Sequence, residues 1–181
     1  MKLVLAGEKA WLWESILAKA KNSPFRGDII ITGKLKFSDL SVLTRSAGVY
    51  AYPSLYEGFG MPILEAQSAG VPVVAGNNSS IREITTLPFS PWIRRDVPQG
   101  QRGDENQPQP LTLNPSPHMG RGGIESALLA DPHNPSQIAE AVHQLISDKS
   151  LRDDIIKKGL ENVKRFSWEK CANETLDWMK S

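Results

Sequence analysis

Residues 52–72 read YPSLYEGFGMPILEAQSAGVP, and this stretch decides the fold. An apolar run at residues 47–52 leads into it. Pro62 stands where a helix can begin, because proline lacks the N–H group that would be unpaired in a first helical turn. The stretch therefore predicts a strand, a glycine-rich turn and the N-terminus of a helix.

Two carboxylates, Glu57 and Glu65, lie on either side of the turn at residues 58–60. A helix N-terminus favours an anion, because its N–H groups point outward and its dipole is positive there. A carboxylate is instead suited to accept hydrogen bonds from hydroxyl groups. The combination indicates a ligand with both phosphate and hydroxyls, which describes a nucleotide-sugar. The alternative is a simple strand–turn–helix with solvated glutamates, but the shape of the turn does not require Glu at both positions.

The stretch resembles the signature of the retaining glycosyltransferases of family 4, also called glycosyl transferases group 1. That signature is PSxxEGFGxPxxEAxxxGxPV, and all its fixed positions are filled here between Pro53 and Val73. The family has the GT-B fold, in which two Rossmann-like domains face each other across a cleft. The resemblance covers the chain apart from an insertion and maps to the C-terminal, donor-binding domain.

The resemblance implies transfer of a hexosyl group from GDP- or UDP-hexose to a saccharide or lipid-linked acceptor, with retention and with neither cofactor nor metal. Glu57 would be the catalytic residue, beside the donor hexose, and Glu65 would bind the ribose hydroxyls. The backbone N–H groups of the turn would meet the donor sugar and the diphosphate. These turn residues are Gly58, Phe59, Gly60 and Met61, and the residues implied to flank the nucleobase are Gly33, Lys34 and Leu35.

Outside the motif, short apolar runs alternate with helical patterns. Strands are predicted at residues 3–6, 28–32, 49–52 and 73–75, and helices at 9–21, 39–46, 135–146, 150–165 and 167–179. Ser38, Ser150 and Ser167 are predicted to cap three of these helices. The alternation predicts an α/β fold, a Rossmann-like parallel sheet with flanking helices and right-handed crossovers.

One segment interrupts this pattern. Between residues 85 and 124 the periodicity disappears and prolines and glycines cluster. The segment is predicted to be an irregular, disordered insertion, because it offers too little apolar surface to offset the entropy of ordering. The nucleotide-sugar-binding domain would then comprise residues 1–84 and 125–181. A lid over the ligand is the alternative for the segment.

The resemblance also predicts that the donor domain is N-terminally truncated. In the family it opens with a strand ending in a Gly-Arg turn, then a helix near an Arg…Lys pair that binds the diphosphate. In the strand order 3-2-1-4-5-6 that first strand is central, so the strands at 3–6 and 49–52 would lack their common neighbour. Three outcomes stay open: the two strands pair with each other, another chain pairs with them, or the fragment folds poorly.

Composition limits the partners. The formal net charge of +1 gives no reason to expect nucleic acid. No apolar run has the length of a signal-peptide core or a membrane span, and we expect a cytoplasmic protein. The expected partners are a nucleotide-sugar and the missing acceptor domain, or a neighbouring chain that supplies it. The competing functions are an inactive truncated remnant with at most weak nucleotide binding, and a plain α/β interaction module.

Overall fold

The computed structural model describes residues 1–9, 13–88 and 123–180. The chain forms two compact units, Met1–Ser46 and Ala47–Ser181. Most of the insertion predicted at 85–124 lies outside the described residues, so both its disorder and the alternative lid stay predictions. Within the described ranges, no helix is long and apolar enough to cross a membrane.

The first unit is a two-stranded parallel sheet with short helices. Strand β1 (Leu3–Ala6) pairs with β2 (Ile29–Gly33), with Leu3 opposite Ile29. Both strands were predicted to within one residue. None of the described residues of this unit is fully buried, and Leu3 and Ile30 are about half exposed. The helices of the unit are α1 (Trp13–Asn22) and α2 (Phe37–Arg45), with a 3-10 turn at Arg26–Asp28.

The second unit contains a three-stranded parallel sheet in the order β3-β4-β7. Strand β3 is Tyr50–Tyr52, β4 is Val73–Gly76 and β7 is Leu128–Ala130. All four residues of the central strand β4 are buried. The helices of this unit are α3 (Met61–Ser68), α4 (Ser79–Thr85), α5 (Pro135–Ser147), α6 (Lys149–Val163) and α7 (Trp168–Lys180).

Strand β4 separates two apolar clusters. Val73 and Ala75 belong to the cluster that contains Ile63 of α3. Val74 belongs to the other cluster, with Leu145 of α5. Successive side chains of a strand point to opposite faces, so both faces of the sheet are covered, as parallel sheets require. The predicted α/β architecture, with a parallel sheet and flanking helices, is confirmed.

Strands β1 and β3 lie in different sheets among the described strands. Each is hydrogen-bonded along one side, β1 by β2 and β3 by β4. The three outcomes named for these two strands stay predictions.

A short antiparallel ladder lies where irregular structure was predicted. Strands β5 (Thr86–Pro88) and β6 (Gly123–Glu125) pair with Pro88 opposite Gly123. Three-residue strands show no readable alternation of apolar and polar residues, because a period of two needs more positions to stand out. The two ends of the predicted insertion are thus held side by side.

The helix caps give a mixed result. Ser167 accepts a hydrogen bond from the N–H of Lys170 at 3.0 Å, which confirms its predicted capping role. The predictions for Ser38 and Ser150 are wrong. Helix α2 already begins at Phe37, so Ser38 lies inside it. Helix α6 is capped by Asp148, whose charged oxygen accepts from the N–H of Leu151 at 2.9 Å and suits the positive end of the helix dipole.

Candidate functional site

The candidate site is the loop from β3 to α3, and Gly60 forms its last turn. Gly60 adopts φ +100, a left-handed conformation that glycine reaches without strain, at the N-cap position of α3. A Cβ at this position would lie 2.9 Å from Cδ1 of Ile84. Both the left-handed backbone and this contact therefore exclude a side chain. Pro62 follows in the first turn of α3. The predicted sequence of strand, glycine turn and helix start is confirmed.

Glu57 is held at both its side chain and its backbone. The hydroxyl of Tyr52 donates to Oε1 of Glu57 at 2.6 Å. The hydroxyl of Ser80, at the start of α4, donates to the backbone carbonyl of Glu57 at 2.6 Å. Burial raises the pKa of Tyr52, and the hydrogen bond and negative charge of Glu57 raise it further. The phenol therefore stays protonated and serves as a permanent donor to the carboxylate.

Glu65 projects from the exposed side of α3, whereas Gln67 two residues later is buried. Burial raises the pKa of Tyr50, and the charge of Glu65 adds to this effect. The rings of Tyr50 and Tyr52 stack with their centroids 6.2 Å apart. Each glutamate thus interacts with one tyrosine of β3: Glu57 accepts a hydrogen bond from Tyr52, and the charge of Glu65 acts on Tyr50. The two tyrosine rings stack on each other.

The turn between the glutamates is exposed except at Gly60, which is buried. Gly58, Phe59 and Met61 are exposed. Phe59 packs edge-on against Phe166 with ring centroids 5.8 Å apart, which restrains the loop from the α6–α7 connection. A Cβ at Gly58 would meet nothing within 4 Å, so the protein itself leaves this space open. An exposed backbone with open space beside it is what binding through N–H groups requires.

The first part of the loop is held against the end of β4. A Cβ on Gly76 would lie 2.5 Å from the backbone oxygen of Ser54, so only glycine allows this approach. The side chain of Asn78 donates to the same oxygen at 2.8 Å and also accepts from the N–H of Ile81 as the N-cap of α4. The start of α4 thus fixes the loop through Asn78 and, as noted for Glu57, through Ser80.

Three of the predicted site residues belong to the first unit. Gly33 ends β2 with φ +69 and accepts a hydrogen bond from the N–H of Gly7 at 3.1 Å. Lys34 is exposed and forms an ion pair with Glu8 at 3.0 Å, and Leu35 is partly buried. The nucleobase role of Gly33, Lys34 and Leu35 stays a prediction. Glu57 to Met61 and Glu65, by contrast, share one loop and helix of the second unit.

A buried polar network behind α3 was missed by the sequence analysis. The side-chain amide of Gln67 donates to the carbonyl and the hydroxyl of Ser126 at 3.0 and 2.9 Å. Asn162 of α6 donates to Oε1 of Gln67 at 2.9 Å and to the carbonyl of Ile84 at 2.8 Å. The hydroxyl of Ser126 donates to the carbonyl of Thr85 at 2.7 Å. The network ties α3 to α4, to α6 and to the segment between β6 and β7.

Helical spacing could have revealed two members of this network. Asn162 follows the buried residues Ile155 and Gly159 at the spacing of one helix face, and Gln67 follows Ile63 in the same way. Gly159 packs closely against Gln67, because a Cβ at position 159 would lie 3.1 Å from Cγ of Gln67 and would require that side chain to shift. Ser126 carries no such signal, because it lies between two short strands.

The chemistry available at this site is recognition of hydroxyls and of an anion. Two carboxylates can accept hydrogen bonds, and the start of α3 offers backbone N–H groups at the positive end of a helix dipole. Among the described residues, no group of three His, Cys, Asp or Glu side chains is placed to hold a metal ion.

Comparison with known proteins identifies the family. The model of the family described as glycosyl transferases group 1 matches residues 1–88, which contain the whole loop and α3. The chain is 30% identical to O-antigen chain mannosyltransferase B of Escherichia coli over 178 residues, which is 98% of this chain and 37% of that protein. The chain therefore spans little more than a third of this relative.

Solved structures share the fold at low sequence identity. The C-terminal domain of a glycosyl transferase group 1 family protein from Francisella tularensis matches with a TM-score of 0.62 at 22% identity, over 91% of this chain and 68% of that one. HepE of Anabaena, in complex with UDP, matches with a TM-score of 0.71 at 14% identity, over 99% of this chain and 41% of that one. These neighbours are glycosyltransferases of the GT-B type. The part of the chain that the family model matches, residues 1–88, belongs to the glycosyl transferases group 1 family.

Proposed function

We propose that this chain is the donor-binding part of a hexosyltransferase that uses GDP- or UDP-hexose, without a metal or other cofactor. The observation that carries the proposal is the placement of Glu57. Its half-buried carboxylate is held by Tyr52 directly before the glycine turn that starts α3. A hydroxyl-binding group and an anion-binding helix end thus occur together, as a sugar joined to a diphosphate requires.

We assign the loop residues the roles that the family resemblance implies. Glu57 accepts hydrogen bonds from the hexose hydroxyls near the reacting carbon, and Glu65 binds the ribose. The backbone of residues 58–61 meets the sugar and the diphosphate. As the bond to the sugar breaks with retention, negative charge grows on the leaving diphosphate, and the fixed dipole of α3 stabilises that charge without having to reorganise.

The relatives support the finer assignments. The mannosyltransferase name of the Escherichia coli relative favours a mannosyl donor and a saccharide or lipid-linked acceptor in polysaccharide assembly. The UDP bound to HepE favours a uridine nucleotide, so both nucleotides belong in the test. We place the protein in the cytoplasm and the acceptor-binding domain in the remainder of a longer enzyme or in a neighbouring chain. The alternative is an inactive remnant with at most weak nucleotide binding.

Titration calorimetry with GDP, UDP, GDP-mannose and UDP-glucose tests this proposal. Glu65→Ala removes a charge-assisted hydrogen bond and should cost about 1.5–3 kcal/mol, or roughly tenfold to hundredfold in affinity, for nucleotides and nucleotide-sugars alike. Glu57→Ala should weaken only the nucleotide-sugars. Glu169→Ala, an exposed glutamate on α7, is the matched control and should change neither affinity.

Each result has a clear meaning. If the wild-type chain binds none of the four ligands, the proposal fails. An unchanged affinity in Glu65→Ala would remove that residue from the ribose role. A transfer assay with saccharide and lipid-linked acceptors, carried out on the chain together with the acceptor-binding domain, then separates the enzyme from the remnant, because only the enzyme should show turnover that Glu57→Ala abolishes.

A further inference from the structure

We propose that Tyr52 is a positioning residue for the donor sugar: its hydroxyl holds one oxygen of Glu57 so that the other is directed toward the hexose hydroxyls. The inference deepens the proposed function and rests on it. Tyr52 was quoted in the motif, but the sequence assigned it no role. The structure joins it to the carboxylate by the 2.6 Å hydrogen bond.

The hydrogen-bond donor, the side chain of Tyr52, is itself fixed in place. Tyr52 is a residue of β3, its ring packs against the apolar cluster around Ile63, and it stacks on Tyr50 with an angle of 17° between the ring planes. The stacked ring and the pleated strand set the direction of the hydroxyl before any ligand arrives. A carboxylate bound to such a group loses little further rotational freedom when it meets a sugar, which favours binding.

The hydrogen-bond acceptor, Glu57, is also fixed, through its backbone. The backbone of Glu57 is bonded by Ser80, so the side chain has few ways to move once Oε1 is also bonded. Its second oxygen, Oε2, has no hydrogen-bond partner among the described residues. The arrangement therefore uses one carboxylate oxygen for orientation and leaves one for a ligand.

A purely structural role for Tyr52 makes a different prediction. A partly buried hydroxyl needs some acceptor, and Glu57 could serve only to satisfy it. In that case, loss of the hydroxyl would lower the stability and affect all ligands equally. In the positioning role, the loss falls on ligands that carry the hexose, because Glu57 contacts the sugar and not the nucleotide.

The test is Tyr52→Phe, which removes one oxygen and keeps the ring. Affinities for UDP, GDP, UDP-glucose and GDP-mannose are measured by calorimetry. We expect about threefold to tenfold weaker binding of the nucleotide-sugar the chain prefers and unchanged binding of its free nucleotide, as for loss of one hydrogen bond. In the Glu57→Ala background the same substitution should have no further effect. Tyr50→Phe removes the hydroxyl of the stacked neighbour and should leave the ratio of the two affinities unchanged.

A second measurement does not depend on ligands. Urea unfolding of Tyr52→Phe, Glu57→Ala and the double variant should show non-additive losses, because each single change removes the same hydrogen bond. Additive losses of stability, or equal weakening of nucleotide and nucleotide-sugar binding, would overturn the inference about Tyr52 and leave the proposed function standing. A wild-type chain that binds neither kind of ligand would overturn the proposed function, and the inference with it.

Discussion

Two glycines of the site loop limit substitution for different reasons. At Gly60 the left-handed backbone and the contact with Ile84 would exclude a side chain in any state of the protein. At Gly58 a Cβ would meet nothing within 4 Å, and the backbone there is not left-handed. The protein alone therefore gives no packing reason for glycine at position 58, whereas a ligand lying against the backbone would.

We predict that Gly58→Ala leaves the urea midpoint unchanged but weakens nucleotide-sugar binding about tenfold or more, because the added methyl group occupies the ligand's space. Gly48→Ala is the matched control. It also adds a methyl group that meets nothing within 4 Å, but lies before β3 and should change neither quantity. Full affinity in Gly58→Ala would contradict close approach of the donor to this backbone.

The tyrosine pair predicts a loss of stability in alkali. The pKa of Tyr52 is raised above the ordinary value of 10.0, chiefly by burial and then by Glu57. Above about pH 10 the folded protein therefore holds a proton that the unfolded chain releases, so the free energy of unfolding falls as the pH rises. The full slope for one proton is about 1.4 kcal/mol per pH unit, and partial exposure of the phenol reduces it.

Urea unfolding between about pH 9 and about pH 11 measures this slope. Tyr52→Phe should make the dependence shallower than in the wild-type protein. Tyr50→Phe should do the same in part, because burial and the charge of Glu65 also raise the pKa of Tyr50. An identical pH dependence in Tyr52→Phe and the wild-type protein would show that this phenol titrates alike in the folded and unfolded states.

At the scale of elements, the position of α3 is set by polar as well as apolar contacts. Ile63 and Ala66 pack into the core, and Gln67 and Asn162 join α3 to α6 through hydrogen bonds. Apolar packing tolerates small rotations of a helix, whereas a hydrogen bond restricts both distance and angle. The network thus limits rotation of α3 and so limits where the exposed Glu65 can lie.

We predict that Asn162→Leu destabilises the second unit by about 2–4 kcal/mol. The substitution leaves the carbonyl of Ile84 and Oε1 of Gln67 without their donor, and an unpaired buried polar group costs about 1–3 kcal/mol. Urea unfolding followed by circular dichroism measures the effect. Ser68→Ala is the matched control on α3, because it removes an exposed hydroxyl whose only hydrogen bond among the described residues is to the carbonyl of Glu65. Equal stability of Asn162→Leu and Ser68→Ala would contradict a structural role for the network.

The sequence predicted elements better than the contacts between them. Strand β4 was predictable because four consecutive apolar or small residues follow a glycine and a proline. The start of α3 was predictable because Gly60 and Pro62 act through local backbone geometry. The bond from Tyr52 to Glu57 and the network around Gln67 were not predicted, because they depend on side-chain orientation and on residues far apart in the chain.

At the scale of the whole molecule, the chain forms two compact units of different character, and the motif lies in the second. The second unit has a central strand covered on both faces and, among its described residues, fourteen buried apolar residues, from Ile63 to Ile155. The first unit has no fully buried residue among those described. The sequence predicted one domain, at residues 1–84 and 125–181, interrupted by one insertion, and this division stays a prediction. Burial depends on which strands become neighbours, and that information is not local.

The ladder between β5 and β6 sets the boundaries within which the insertion can be removed. Pro88 lies opposite Gly123. Partners in an antiparallel pair are about 4.5–5.5 Å apart, a gap that a two-residue turn closes. We predict that replacing residues 89–122 with Asn-Gly preserves the helical circular dichroism and keeps or raises the urea midpoint, since each halving of loop length lowers the entropic cost of closing the loop by about 0.6 kcal/mol.

The comparison is a longer deletion, of residues 86–123. That change removes β5 together with the carbonyl of Thr86, which accepts a hydrogen bond from Arg165 at 2.8 Å. It also breaks the ladder next to Ser126 and Thr85, whose hydrogen bonds belong to the buried network. The variant with the longer deletion should therefore unfold at a lower urea concentration than the variant with the shorter one. If the shorter deletion already loses soluble expression or helical signal, residues 89–122 contribute to the fold, and the interpretation of this segment as a dispensable insertion is wrong.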